Sequence, residues 1–537
     1  MRHADKAARE QRPVLCRLLA SKRGNVLPIV AASILPMTAM IGGAVDMSRA
    51  YMVKSRIQQA CDAGVLAGRR AMERGSYNDA AKAQAQDFFN INFQEGYNQS
   101  TDVVFNTSNA SGSSKVVGTA STVMPTAIMG IFGKENIEIG VDCEAELNLS
   151  NTDVTFVLDV TGSMKDSIST GDGGSVVKMT SLRSAVMSFY DTLDTAAAGS
   201  NARIRYAFAP YSTNVNVGEL LYDTNPQWLV GGNVGDTWSY QSRRRVSILF
   251  ATINQWGKYS YPVHDYLKSI KPSNPEVATP SDHPNNKIPS RWKGCIEERE
   301  TIGQSNIAYA SGSITVNGSS NAYDLDIDRA PFNETTKWRP YWEEVYYLKN
   351  DTQRLKDNPR GLTACPAKAS LLASMSRTQV QTYVDSLFPV GGTYHDVGLL
   401  WGARIASPQG LFASVVNAAP GNSGTVGRHL IFMTDGDLTA YPDVASMYGI
   451  EQYDTRLGAG TNTTEHLERR RQRYLAICEA IKGKGIRLWV IAFGTTLTDD
   501  LTTCASTGSS FTAENSVKLN AAFQNIAKQI SELRLTK

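Results

Sequence analysis

Val154 to Asp166, VTFVLDVTGSMKD, is the stretch from which the fold can be read. Five apolar or β-branched residues, Val154 to Leu158, run directly into Asp159. Such a run predicts a strand buried on both faces that ends in a polar loop. The loop carries Asp159, Thr161 and Ser163 at alternating positions, one carboxylate and two hydroxyls. These hard oxygen donors suit a small divalent cation that keeps several of its waters, Mg²⁺ first and Mn²⁺ or Ca²⁺ as substitutes. Val176, Val177, Met179, Leu182, Val186 and Phe189 return at spacings of three and four, which predicts an amphipathic helix next. Open α/β sheets place their ligands at such a loop, outside the carboxyl end of a parallel strand. An N-capping loop uses the same residue types without a metal.

The segment DVTGS resembles the metal-ion-dependent adhesion site of von Willebrand factor type A domains, Asp-x-Ser-x-Ser, with Thr161 replacing the first serine and keeping its hydroxyl. The resemblance implies two further ligand loops. GGTYHDVGLLWG puts Thr393 in a glycine turn before a helix, and HLIFMTDGD puts Asp435 at the end of a second buried strand. It also implies that Thr161, Ser163 and Thr393 bind the cation directly, with Asp159 and Asp435 bound directly or through water. A protein partner then supplies a carboxylate to the open position. Asp166 and Asp437 are expected to be solvated loop acids.

Further strands are expected at Arg203 to Phe208, Leu430 to Met433, Ile486 to Phe493 and Phe511 to Ala513, and helices at Glu465 to Ile481 and Ser516 to Leu533. Alternating strands and helices predict a doubly wound, mostly parallel, Rossmann-like sheet over residues 151–537. Residues 222–366 exceed what such a domain needs and form an insertion rich in aromatics, among them Trp228, Trp238, Trp256, Trp292, Trp338, Tyr341, Trp342, Tyr346 and Tyr347. They serve either partner recognition or the insertion's own core.

The N-terminal part differs in kind. Residues 1–24 hold seven Lys and Arg against Asp5 and Glu10, a basic tail, and residues 25–45 run without a charge, long enough to cross a bilayer. Positive charge on that side keeps the N-terminus cytoplasmic and exports the rest. A cleaved signal peptide is the competing expectation. The helical pattern continues to about Gly75, a second helix is expected at Asn78 to Phe89, and alternating stretches from Asp102 to Leu149 predict a small β-rich module.

Arg23-Gly24-Asn25, Ala44-Val45-Asp46 and Cys61-Asp62-Ala63-Gly64-Val65-Leu66-Ala67-Gly68 resemble the N-terminal segment of TadE/TadG-like proteins of the Tad (Flp) pilus-assembly system. Gly294-Cys295-Ile296-Glu297-Glu298-Arg299, Leu362 to Pro366 and Trp401 to Pro408 resemble the TadG-like members. Prepilins processed beside that system carry a glutamate five residues after a glycine, whereas Ile29 follows Gly24 here, which argues against a pilus subunit. Ala60, Ala63, Gly64, Ala67 and Gly68 form a small-residue helix face on which another helix, or the helix's own domain, can lie.

Apart from Cys16 in the tail, six cysteines remain in an oxidising compartment, enough for three disulfides with fifteen connectivities. Cys478 with Cys504 is the pair that α/β topology can bring together, and buried free thiols are the alternative for the other four. A net charge of +3 with ordinary composition gives no sign of nucleic-acid binding. Neither a zinc-protease, a serine-hydrolase nor a Walker motif is present, and DLDID at residues 324–328 lacks the glycine and glutamate of an EF-hand.

The expected function is therefore an anchored, exported component of Tad-type pilus assembly in the bacterial inner membrane, with its bulk in the periplasm. A cell-surface adhesin contacting host or matrix ligands is a second expectation. A metal-dependent hydrolase with His395 as its base is a third.

Overall fold

The structure, a computed structural model, describes residues 26–72, 77–109, 115–146, 151–198, 200–284, 288–303, 306–310, 312–319, 322–350, 353–354, 365–459 and 462–532. The basic tail and Gly24 therefore lie outside the described residues. Two compact units are present, one of Met1–Asn148 and Ala198–Ser200, the other of Leu149–Ala197 and Asn201–Lys537.

The first unit is built on a 46-residue helix, α1 (Val26–Ala71). Its amino-terminal part turns Ile34, Leu35, Met40 and Ile41 outward, and the helix is long and apolar enough to cross a membrane. No break separates this apolar part from the rest. The carboxyl-terminal half packs on α2 (Asp79–Asn92) and on an antiparallel meander of β1 (Thr101–Asn109), β2 (Lys115–Pro125) and β3 (Asn136–Glu146). The small-residue face is what allows this approach. A Cβ on Gly64 would lie 2.7 Å from Phe105, and one on Gly68 would lie 2.9 Å from Ala85, so the face is filled by the helix's own unit. A disulfide joins Cys61 of α1 to Cys143 of β3.

The second unit begins with β4 (Asn151–Asp159), followed by a hairpin of β5 (Ser167–Ser169) and β6 (Ser175–Val177) and the helix α3 (Lys178–Ala197). Val176 and Val177 thus belong to a strand, not to the predicted helix. Gly171 and Gly173, both at positive φ, reverse the chain just before them. After β7 (Ile204–Tyr211) comes the insertion with its long hairpin β8 (Thr237–Ile248) and β9 (Ala251–Pro262). Then follow β10 (Ser370–Ala373), α4 (Arg377–Asp385), α5 (His395–Ala406), β11 (Val426–Thr434), α6 (Thr463–Gly483), β12 (Arg487–Phe493), β13 (Ser510–Ala513) and α7 (Ser516–Glu532).

Six of these strands form one sheet in the order β10-β7-β4-β11-β12-β13. The edge strand β10 runs antiparallel to β7, and every other pair is parallel. The strand residues sort by alternation. Val154, Phe156 and Leu158 join Ile431 and Met433 against α3, α4 and α7, while Val157, Leu430 and Phe432 pack against α5 and α6. Helices cover both faces, which is why the parts of β4, β11 and β12 that they sandwich hold the apolar runs Phe156–Leu158, Leu430–Met433 and Leu488–Phe493.

Most of the insertion's large aromatics are core. Trp292, Trp338, Tyr341, Trp342 and Tyr346 are buried, with Tyr240, Tyr261 and Tyr266 from its amino-terminal part. Cys295–Cys365 is a disulfide within it, and Cys478–Cys504 links α6 to the short helix Asp499–Cys504. Asp324 of DLDID is not a solvated acid but a buried partner of Arg473. Nearby, Glu298 and Arg404 form a fully buried ion pair at 2.7 Å.

Candidate metal centre

The parallel register of β4 and β11 aligns Leu158 with Met433, so both strands end at one level and deliver Asp159 and Asp435 side by side. The third loop depends on how close α5 comes to the sheet. A Cβ on Gly398 would lie 2.3 Å from Tyr211 and one on Gly402 would lie 2.2 Å from Val157, so only glycine admits the helix at this depth. Gly391, at φ +79°, turns the chain into α5, and its carbonyl accepts the Gly162 N–H at 2.9 Å. Thr439 holds Thr393 from the other side, its hydroxyl accepting the Thr393 N–H at 3.1 Å.

All five predicted ligands meet. Thr161 Oγ1 lies 3.0 Å from Ser163 Oγ and accepts the Thr393 hydroxyl at 3.3 Å. Ser163 Oγ donates to Asp435 Oδ1 at 2.7 Å, and Thr161 Oγ1 approaches the same oxygen at 3.5 Å. Behind them, Asp159 Oδ1 accepts the Thr161 N–H at 2.9 Å, and Oδ2 accepts the Thr434 hydroxyl at 2.9 Å and the Tyr211 hydroxyl at 3.2 Å. Asp159, Thr161, Thr393 and Asp435 are buried and Ser163 is half-buried.

The electrostatics follow from two acids in one dry corner. Burial, and then the negative charge of Asp435, push the Asp159 carboxyl up to about 7. Lys178, the first residue of α3, places its Nζ 3.1 Å from Asp435 Oδ2. Asp166 and Asp437 are exposed. His395 is buried among the rings of Tyr211, Phe432 and Tyr474, with Nε2 2.8 Å from Thr434 Oγ1. Its burial drives the imidazole pKa down to about 3, so it is a neutral spacer behind Asp159.

The donor set fits a hard divalent cation, because two carboxylates and three hydroxyls offer oxygen alone. Hydroxyls can exchange roles. Each of the three now donates to or leans on a neighbour, and each can rotate to turn a lone pair toward a cation. Among the described residues no group of three or more His, Cys, Asp or Glu gathers into a metal-binding cluster. Thr161, Ser163 and Thr393 would hold the ion, with Asp159 and Asp435 supplying charge. Lys178, Tyr211 and Thr434 complete the site and are absent from the ligand pattern. Thr434 adjoins Asp435 and was open to notice, whereas Lys178 and Tyr211 are brought in by the hairpin and by β7.

Comparison with known proteins bears on the first unit. Residues 24–86 match the Tad family model, Flp pilus-assembly TadE/G-like. The match takes in α1 and most of α2, and it makes this segment Tad-like. No curated protein sequence matches the chain. Among solved structures, the pilus adhesin SpaC from Lactobacillus rhamnosus GG aligns at 11% identity and TM-score 0.30, over 80% of this chain and 34% of SpaC. The chain thus spans about a third of that protein's length. The PilB minor pilin from Streptococcus sanguinis aligns at 12% identity and TM-score 0.29, over 80% of this chain and 78% of PilB. These TM-scores are too low to define a shared fold.

Proposed function

We propose that the chain is a membrane-anchored, exported component of Tad-type pilus assembly whose type A domain binds a protein partner through a metal-completed contact. The observation that carries the metal half is the convergence of Asp159, Thr161, Ser163, Thr393 and Asp435, drawn from three loops that are far apart in sequence. The sheet order and the helices on both faces support the type A assignment. The Tad match at residues 24–86 and the apolar part of α1 support the pilus role and a single-pass anchor in the inner membrane, with the second unit in the periplasm. A bound Mg²⁺ would supply one open coordination position for a partner's carboxylate. This chain's hydroxyls would hold the ion, and Asp159 and Asp435 would supply negative charge to it. His395 is buried and neutral, which supports reading it as a packing residue and not as a general base.

The test is a count of surface pili on cells whose only copy carries Asp159→Ala, with protein abundance followed by blot and a deletion strain alongside. Loss of pili in both strains at normal protein level is the expected result. Pili retained with attachment lost would transfer the site to a surface adhesin, and full function in the variant would remove the metal from the mechanism.

A further inference from the structure

The β8–β9 hairpin is paired along its whole length, from Thr237 opposite Pro262 to Ile248 opposite Ala251. Its base is fastened to the rest of the insertion, whereas its tip has no such fastening among the described residues. Trp238 Nε1 donates to Glu297 at 3.0 Å, Trp256 Nε1 to the Tyr347 carbonyl at 3.0 Å, and Arg245 to the Pro284 carbonyl at 2.6 Å. Beyond that collar stand Ile248, Leu249, Phe250 and Ile253, all exposed, Leu249 at 92% and Phe250 at 106%. Leu249 also takes φ +54° at the first turn position, where glycine or asparagine is the usual occupant. Neither packing nor turn chemistry favours a leucine and a phenylalanine here, so the tip meets a need outside the fold.

The charge around it is one-sided. Residues 237–262 contain Arg243, Arg244, Arg245 and Lys258 and no Asp or Glu. Arg244 and Lys258 pair with Asp282 and Asp454 from neighbouring segments. Arg243 and Arg245 are bonded to carbonyl oxygens, and among the described residues no carboxylate pairs with either guanidinium.

We infer that the hairpin tip inserts into the interface of an anionic lipid bilayer, Leu249 and Phe250 entering the acyl boundary while Arg243 and Arg245 face the headgroups. A wedge of four apolar side chains is far short of the roughly 800 Å² per partner that a stable protein interface takes. Interfacial membrane binding asks for an apolar wedge with cations behind it, and the wedge and the cations are both here. This inference does not depend on the metal site.

The test uses the full chain with Cys16→Ser, which leaves six cysteines, all disulfide-bonded, and a nitroxide attached at Phe250→Cys. The protein is reconstituted in vesicles of phosphatidylcholine and phosphatidylglycerol in equal parts, and collision of the label with oxygen and with a nickel chelate is measured. The expected label is accessible to oxygen and shielded from the chelate, and it returns to water when Leu249→Asp is added. A label that stays aqueous in these vesicles overturns the insertion, as does one that stays buried with Leu249→Asp present. Equal shielding in phosphatidylcholine alone overturns the role given to the arginines. Because Leu249 and Phe250 have no packing to lose, a folding defect is not expected, and circular dichroism verifies it.

Discussion

Asp46 and Asp159 are both buried aspartates, one in each unit, and they are satisfied in different ways. Asp46 receives the backbone N–H groups of Ala127, Ile128 and Met129 at 2.7, 3.0 and 2.8 Å, with Arg49 at 3.5 Å. Backbone donors cannot turn away, so that pocket is closed to any other cation. Asp159 instead shares its corner with a second carboxylate and a layer of hydroxyls, groups that can donate in one state and ligate in another. Fixed donors around a lone acid make a structural joint, whereas rotatable donors around two acids are the arrangement on which the proposed ion site rests.

The same isosteric change should therefore separate the two positions. Asp159→Asn removes one of two like charges, so metal-free protein keeps its fold while the dissociation constant for Mg²⁺ rises about a hundredfold, read by calorimetry. Unchanged affinity would make Asp159 a joint like Asp46. Asp46→Asn turns an amide N–H₂ toward backbone N–H groups, and the melting temperature should fall by roughly 5 °C. Its Mg²⁺ affinity should match the parent.

Acid and base pull the second unit in opposite directions. His395 is held near 3 against an ordinary 6.5, so the stability tied to it is whole above 6.5 and is lost as pH falls toward 3. Asp159 is held near 7 against 3.8, so the stability tied to it is whole below 3.8 and is lost as pH rises through 7. Each slope is at most about 1.4 kcal/mol per pH unit, and between pH 3.8 and 6.5 they oppose each other. Saturating Mg²⁺ holds Asp159 ionised and should leave the His395 slope exposed, steepening the stability profile measured by denaturant titration. A profile that Mg²⁺ does not alter would uncouple the ion from Asp159. The smallest effect belongs to Lys178, whose ammonium competes for Asp435. Lys178→Gln should tighten Mg²⁺ binding by about fivefold, roughly 1 kcal/mol.

Much of this was legible in the residues. Strands covered on both faces are apolar where the helices lie on them, so the runs Phe156–Leu158, Leu430–Met433 and Leu488–Phe493 announced β4, β11 and β12, and hard oxygen donors at alternating positions after β4 pointed to the candidate site. Val176 and Val177 fell in phase with the helix that follows and concealed the β5–β6 hairpin, although the Gly171 and Gly173 turn was in view. The short edge strand β10 has too few residues to show a period. Lys178, Tyr211 and the Asp46 pocket depend on pairings across 257, 52 and 81 residues, which no local pattern encodes. Composition could not decide what the insertion's aromatics do, since core and recognition surfaces draw on the same side chains.

The Cys61–Cys143 disulfide acquires a mechanical meaning if the anchor is pulled. Residues 62–142, which carry all of α2 and most of the meander, lie inside the loop it closes, while the apolar part of α1 and the chain leading to β4 lie outside. Tension between the bilayer and the second unit is carried through one covalent bond from α1 to β3. The 82-residue separation, roughly 280 Å of chain at full extension, is withheld from stretching, so the tether stays short under load even when the hydrogen bonds around it give way.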